Sequence, residues 1–222
     1  TTNISTVVGY NAGPNLQTIA GAAYNTALGY AALGSVSLDA SADYNTAVGA
    51  ETLQANTSGA QNTGIGYAGL RANTTGSFNT SLGVNALAVN TTGGDNIAIG
   101  GGALAGNTTG GSNTALGRLA LNLATTSSYQ TAIGYGTLDS MITGPSNDTE
   151  GNVALGFNAG TALTYGGANI LLGYQAGDAL TTGSNNIVLG YDIDAPSNTA
   201  SNQLNIGNIL FGSNVNSTGT TV

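Results

Sequence analysis

Asn62-Thr-Gly-Ile-Gly-Tyr-Ala-Gly-Leu-Arg-Ala-Asn-Thr-Thr-Gly-Ser-Phe78 is followed at once by Asn79-Thr-Ser-Leu-Gly-Val-Asn-Ala-Leu-Ala-Val-Asn-Thr-Thr-Gly-Gly-Asp95, the same 17-residue sentence written twice. Its opening pentad, Asn-Thr-Ala-Leu-Gly or a close variant, recurs along the whole chain. The closing glycines are Gly9, Gly29, Gly49, Gly66, Gly83, Gly100, Gly117, Gly134, Gly156, Gly173, Gly190 and Gly207, so the first steps are 20 residues, one is 22 and the rest are 17. A fixed period of this length marks a repeat architecture in which each unit buries its face only by stacking on the next. Twelve units leave no room for a separate domain. The array runs over 1–222, with loop insertions near 38–44 and 142–151 and a closing segment at 201–222.

Side chains alternate along a strand with period two, so the second and fourth positions of each pentad face one way and the third faces the other. The fourth column is aliphatic throughout, from Val8, Leu28 and Val48 to Leu189 and Ile206. This column is expected to form the core of each coil. The third column is mostly small (Ala27, Ala47, Gly64, Ser81, Ala98), which predicts that a neighbouring protomer or a second layer packs closely against that side. The second column is Thr up to Thr131, apart from Ile97, and apolar from Val153 onward, so the last third is expected to be drier. The Tyr-x-Ala-Leu that follows the glycine fits either a second short strand with a bend or a single helical turn. Asn-Thr-Thr-Gly, at Asn73 to Gly76 for example, reads as a tight turn. A second unit type, Tyr-x-Ala-Gly-x-x-Leu, appears at Tyr10 to Leu16, Phe157 to Leu163 and Tyr174 to Leu180, where the core is refilled from a leucine three positions later. The fold class is therefore all-β, a parallel β-solenoid or β-roll of about twelve coils. Small third-column residues and a thin interior point to a homotrimer.

Composition narrows function. The 222 residues include 36 Gly, no Cys and no His; Arg71 and Arg118 are the only cations, and the net charge is −8. Lysine chemistry is absent, and attraction to nucleic acid or to anionic lipid calls for the opposite sign. No apolar run reaches the roughly 20 residues that span a bilayer, so no membrane insertion is expected. The chain starts at Thr1 with neither an initiator Met nor a signal peptide, as an excised piece of a longer secreted or virion protein would.

The residues that open the units form an amide column: Asn25, Asn45, Asn62, Asn79, Asn96, Asn113, Asn152, Asn169 and Asn186, with Gln130 in one gap. A stacked ladder of side-chain amides is the reading adopted, over a polar recognition strip, because Gln130 keeps the amide while changing its length. Aromatic residues follow the glycine at Tyr10, Tyr30, Tyr67, Tyr135, Phe157, Tyr174 and Tyr191. Tyr30, Tyr67, Tyr135, Tyr174 and Tyr191 are the candidates for stacking on sugars. The interruption of that column by Ala50, Val84, Gly101 and Arg118 favours packing between coils or protomers instead. Asp148 with Glu150, and Asp192 with Asp194, form loose acidic pairs, read as solvated loop charges over a glycosidase pair or a Ca²⁺ site. The sequons at Asn56, Asn73, Asn90 and Asn107 are explained by turn chemistry without glycans. No metal or other cofactor is expected.

The unit resembles the head repeats of trimeric autotransporter adhesins. It resembles more closely the repeats of phage tail fibres and bacterial surface proteins that precede an intramolecular chaperone domain. The likeness covers nearly the whole chain, and Ser201 to Gly212 is similar to the stretch that closes such arrays. The unit here is longer than that of the adhesin heads, and no ligand motif matches residue by residue. The resemblance implies a trimeric parallel β-roll on a cell or virion surface, used for display and adhesion. The expectation is thus a non-enzymatic, extracellular fibre segment that spaces and displays a receptor-contacting tip and contacts a host-surface glycan or protein weakly. A polysaccharide-cleaving tail-spike enzyme using Asp192 and Asp194 is one alternative, and an ice-binding solenoid presenting threonines is the other.

Overall fold

The computed structural model describes residues 4–16, 22–35, 39, 41–142 and 150–213, with side chains to 209. Most of the expected insertion near 142–151 lies outside the described residues. Each pentad contributes one three-residue strand: β1 (Thr6–Val8), β2 (Thr26–Leu28), β3 (Thr46–Val48), β4 (Thr63–Ile65), β5 (Thr80–Leu82), β6 (Ile97–Ile99), β7 (Thr114–Leu116), β8 (Thr131–Ile133), β9 (Val153–Leu155), β10 (Ile170–Leu172) and β11 (Ile187–Leu189). Two four-residue strands follow, β12 (Gln203–Ile206) and β13 (Leu210–Ser213). All lie in one sheet in chain order, and β1 to β12 pair in parallel with like positions opposite one another, as in Thr63↔Thr80 and Ile65↔Leu82. The chain is a parallel β-solenoid of about eleven turns. The 22-residue step leaves this register intact, since Thr131 still faces Val153. Strand β13 turns back antiparallel on β12 and closes the C-terminal edge of the sheet.

Closing glycines make the stacking possible. Gly66 has φ of 128°, and a Cβ placed on it would lie 2.6 Å from the carbonyl oxygen of Gly83 in the next coil. Neither the conformation nor the contact admits another residue.

The solenoid is inside out relative to the expectation from the pentad. The aliphatic fourth column is not the core: Leu28, Leu82 and Leu155 are 46%, 44% and 47% exposed, while the third-column residues Ala27, Ala47, Ser81, Ala98 and Ala115 are fully buried. The small residues therefore face the inside of their own coil rather than a neighbour. The physical reason is volume. The interior is already filled from the opposite wall by the ninth-position leucines, Leu33, Leu53, Leu70, Leu87, Leu104, Leu121 and Leu138, all fully buried, and only a methyl-sized group fits against them.

That opposite wall is neither a strand nor a helical turn. Its residues form turns in which the seventh and ninth positions take positive φ, as Ala68 (55°) and Leu70 (51°) do. Leucine is strained there by about 1 to 2 kcal/mol, but the conformation aims its side chain inward. Backbone bonds still run from coil to coil: the Ala68 N–H donates to Ala50 O at 2.9 Å, and the Leu70 N–H to Ala86 O at 3.0 Å. In the second unit type the leucine moves to the twelfth position, where Leu16, Leu163 and Leu180 are fully buried.

Candidate functional site: an uncharged sheet face between two edges

Two ladders of buried amides hold the coils together. Asn62 shows the pattern of the first. Its Nδ2 donates to Asn45 Oδ1 (3.1 Å) and to Gly76 O (2.9 Å), while its Oδ1 accepts from the backbone and side-chain nitrogens of Asn79 (3.0 and 3.2 Å). Asn25, Asn45, Asn79, Asn96, Asn113, Asn152, Asn169 and Asn186 are likewise buried. Gln130 bridges the long step, its Oε1 accepting from Asn152 Nδ2 at 3.0 Å, and Gln203 ends the row. The second ladder runs Asn56, Asn73, Asn90 and Asn107, with side-chain bonds of 2.7 to 2.8 Å. Sequence reasoning took these four for turn residues. The signal for an interior position was present, because the same column holds Ala124, Met141, Leu163 and Leu180. Their burial also withdraws the four sequons from any glycosylating enzyme in the folded chain.

With the asparagines, alanines and leucines inside, the second and fourth positions are left on the outside. They form one flat face along all twelve coils, a Thr-to-Ile column beside a Leu, Ile or Val column, and neither column contains a charged residue. Ile97, Leu116, Val153 and Ile170 are each more than a third exposed on it. Aromatic residues flank the face. The edge before each strand, at the last position of the preceding unit (the seventeenth in a 17-residue unit), carries Tyr24, Tyr44, Phe78 and Tyr129. The edge after it, at the sixth position, carries Tyr10, Tyr30, Tyr67, Tyr135, Phe157, Tyr174 and Tyr191.

Rings stack on each other along both edges; on the edge before the strands Tyr24 and Tyr44 are 5.1 Å apart and near-parallel. Tyr135, Phe157, Tyr174 and Tyr191 are spaced 5.0 to 5.3 Å apart and lie near-parallel, and Tyr10 pairs with Tyr30 at 6.0 Å. A ring stacked on both sides offers a ligand its edge and hydroxyl rather than its face. Of the five tyrosines singled out for sugars, Tyr67 alone stands between non-aromatic column neighbours, Ala50 and Val84. Arg118 caps the long stack, with its guanidinium carbon 5.7 Å from the Tyr135 ring centre and Nη1 donating to the Tyr135 hydroxyl at 3.3 Å. Beside it the edge is interrupted by an open notch of about 370 Å³, lined by Val84, Gly101, Gly102, Arg118 and Asn122 among others.

Asp178, Asp192 and Asp194 lie close enough for their charges to interact. Asp194 accepts a bond from the Ala179 N–H at 2.9 Å, and Asp192 is exposed. Burial first, and then the charges of Asp194 and Asp192, raise the pKa of Asp178 above the usual carboxylate value. Burial also raises that of Asp139, against a hydrogen bond from Asn122. Asp148 lies outside the described residues. Among the described residues no group of three or more acidic side chains is placed to hold a metal ion, and no helix is long and apolar enough to cross a membrane. Comparison of the chain with family models, with curated proteins and with solved structures returns no match.

Proposed function

We propose that this chain is a structural, non-catalytic segment of an extracellular fibre or surface adhesin, assembled as a homotrimer through its uncharged sheet face and serving to space and display a receptor-contacting tip. The observation that carries this reading is the face itself. An aliphatic column, exposed or half-buried on every coil, runs over a length of about 50 Å, and contiguous apolar surface of this kind marks an interaction site. Burying it stabilises by about 25 cal/mol per Å², and the thin interior of a 17-residue coil has little other apolar area to draw on. Three faces turned toward one axis parallel to the solenoid bury it completely and keep all chains pointing the same way, as a fibre requires. The resemblance of the repeat to surface-fibre repeats supports the extracellular setting. Repeated weak contacts along three chains then add up by multivalency without a tight single site.

Light scattering is the test. A mass near three times 21.6 kDa is expected, and a single-chain mass at micromolar concentration overturns the trimer. The outward Thr column, Thr26 to Thr80 and again Thr114 and Thr131, supports a second reading of the same face as an ice-binding surface. That reading requires a monomer, or a trimer with the face outside, whose solution shows thermal hysteresis above buffer.

A further inference from the structure

Beyond the stacking of rings along each edge, the two edges of the sheet face differ in where they carry bulk and charge. In a single chain they stand about 20 Å apart, six residues of extended backbone, so no local contact links the sixth position of a coil to the seventeenth. In four coils their sizes nevertheless compensate, whereas Ile4 and Tyr10 are bulky and exposed on both edges of the first. Where the seventeenth-position edge carries a ring, as at Tyr44 and Phe78, the sixth position of the same coil is Ala50 or Val84. Where the sixth-position edge carries one, at Phe157 and Tyr174, the opposite residue is Gly151 or Ala168. A Cβ added at Gly151 would meet nothing within 4 Å, so the space beside it is open. Tyr24 with Tyr30, and Tyr129 with Tyr135, are the coils that carry a ring on both edges.

The edges also carry opposite charges, one coil apart. Arg118 sits on the sixth-position edge, one coil beyond the Gly101–Gly102 notch, and Asp95 sits on the opposite edge at the level of that notch. Both are exposed, and among the described residues the one ion pair is that of Arg71 with Glu51. Gly101 leaves its place in the column vacant, since the nearest atom to an added Cβ is Val84 O at 3.9 Å.

We infer that these edges meet between copies of this chain, coil for coil at equal height, and that the Asp95 carboxylate of one chain enters the notch of the next and pairs with its Arg118. The inference rests on the homotrimer reading and goes beyond it by naming a side-chain contact that joins neighbouring chains. Chains arranged around an axis parallel to the solenoid present opposite edges to each other, a heterologous contact that closes into a ring. Equal height follows from closure, because a slip repeated at each contact would open the ring into a helix. At equal height Asp95 stands level with the Gly101 gap, and Arg118 lies one coil further on.

The chain has no lysine, which gives a clean experiment on the full 222 residues. In the Arg118→Lys variant, a water-soluble carbodiimide activates a carboxylate as the O-acylisourea; the introduced side-chain amine attacks the acyl carbon, the urea leaves and an amide bond forms. Covalent dimers and closed trimers are expected on a denaturing gel. Adding Asp95→Asn should remove them, and the wild-type chain, with only its terminal amine, should give a trace at most. A trimeric mass without these cross-links, or cross-links that survive Asp95→Asn, overturns the pairing while leaving the trimer standing. A single-chain mass for the wild-type protein removes both. Charge reversal supplies a second measurement: Arg118→Asp is expected to lower the trimer's melting temperature, and Asp95→Arg in the same chain to recover at least half of the loss. A loss that the second change deepens counts against the pairing.

Discussion

At the residue scale the interior is a chain of satisfied amides with identifiable breaks. Asn107 donates to Asn90 and to Gly110 O, but its own Oδ1 is buried without a partner, because the next coil places Ala124 where the ladder would continue. The Ser127 hydroxyl nearby in that coil is orphaned too. A buried acceptor left unpaired costs about 1 to 3 kcal/mol. Ala124→Asn is therefore expected to stabilise the chain by about 1 kcal/mol, its Nδ2 reaching Asn107 Oδ1 as each earlier rung does. The extra volume falls against Met141, a side chain that adapts to irregular space. Chemical denaturation compares the two proteins, and a lower midpoint for the variant would show that overpacking outweighs the new bond.

At the scale of one coil, stability depends on three inward positions sharing a fixed volume. The four coils of β3 to β6 combine a small third residue, a ninth-position Leu and a twelfth-position Asn. Around β10 the division changes: the third residue is Leu171, and the ninth positions on either side of it are Gly160 and Gly177. A Cβ at Gly160 would lie 2.6 Å from Leu171 Cδ1, and one at Gly177 2.8 Å from Leu171 Cδ2. Gly160→Ala is thus expected to cost about 1 to 3 kcal/mol by overpacking, and Leu171→Ala about 2 to 5 kcal/mol by leaving a cavity. The double variant should cost less than their sum, because each change relieves the other. Strict additivity in thermal melts would refute the shared-volume account.

This trade explains how much of the fold was legible. The 17-residue return fixes strand positions, and the pairing register follows from it, since every strand lies where its pentad stands. The sense of the alternation was not legible from the pentad. Period two separates Leu28 from Ala27 but does not say which faces inward, and the larger residue looks like the core. The deciding information lay several residues further on, in the ninth-position leucines and in the apolar residues that replace Asn at the twelfth position. Recognising those as inward forces the small column to face them. The amide column could be read from Gln130 alone. The notch and the two edges could not, because they depend on which positions end up on the outside.

At the scale of the whole molecule the face changes character along the axis. The second column is threonine through most of the first eight coils, then becomes Val153, Ile170, Ile187 and Leu204, while the fourth column stays aliphatic throughout. Both columns point outward, so the change adds nothing to the stability of an isolated chain and becomes meaningful only when the face is covered. Each hydroxyl replaced by a methyl or ethyl group contributes about 1 kcal/mol on burial. In the proposed trimer the C-terminal third is therefore where the chains are expected to hold together most firmly, next to the antiparallel pair of β12 and β13. Ile170→Thr with Ile187→Thr restores the threonine pattern without touching the interior. The far-UV circular dichroism of the chain should stay unchanged, while the concentration at which trimers dissociate rises by at least tenfold, since about 1.4 kcal/mol is a factor of ten and the change is repeated in three chains. Making the opposite change near the N-terminus, Thr63→Ile with Thr80→Ile, should lower that concentration. If both pairs leave the dissociation concentration where it was, the face is not what the chains bury.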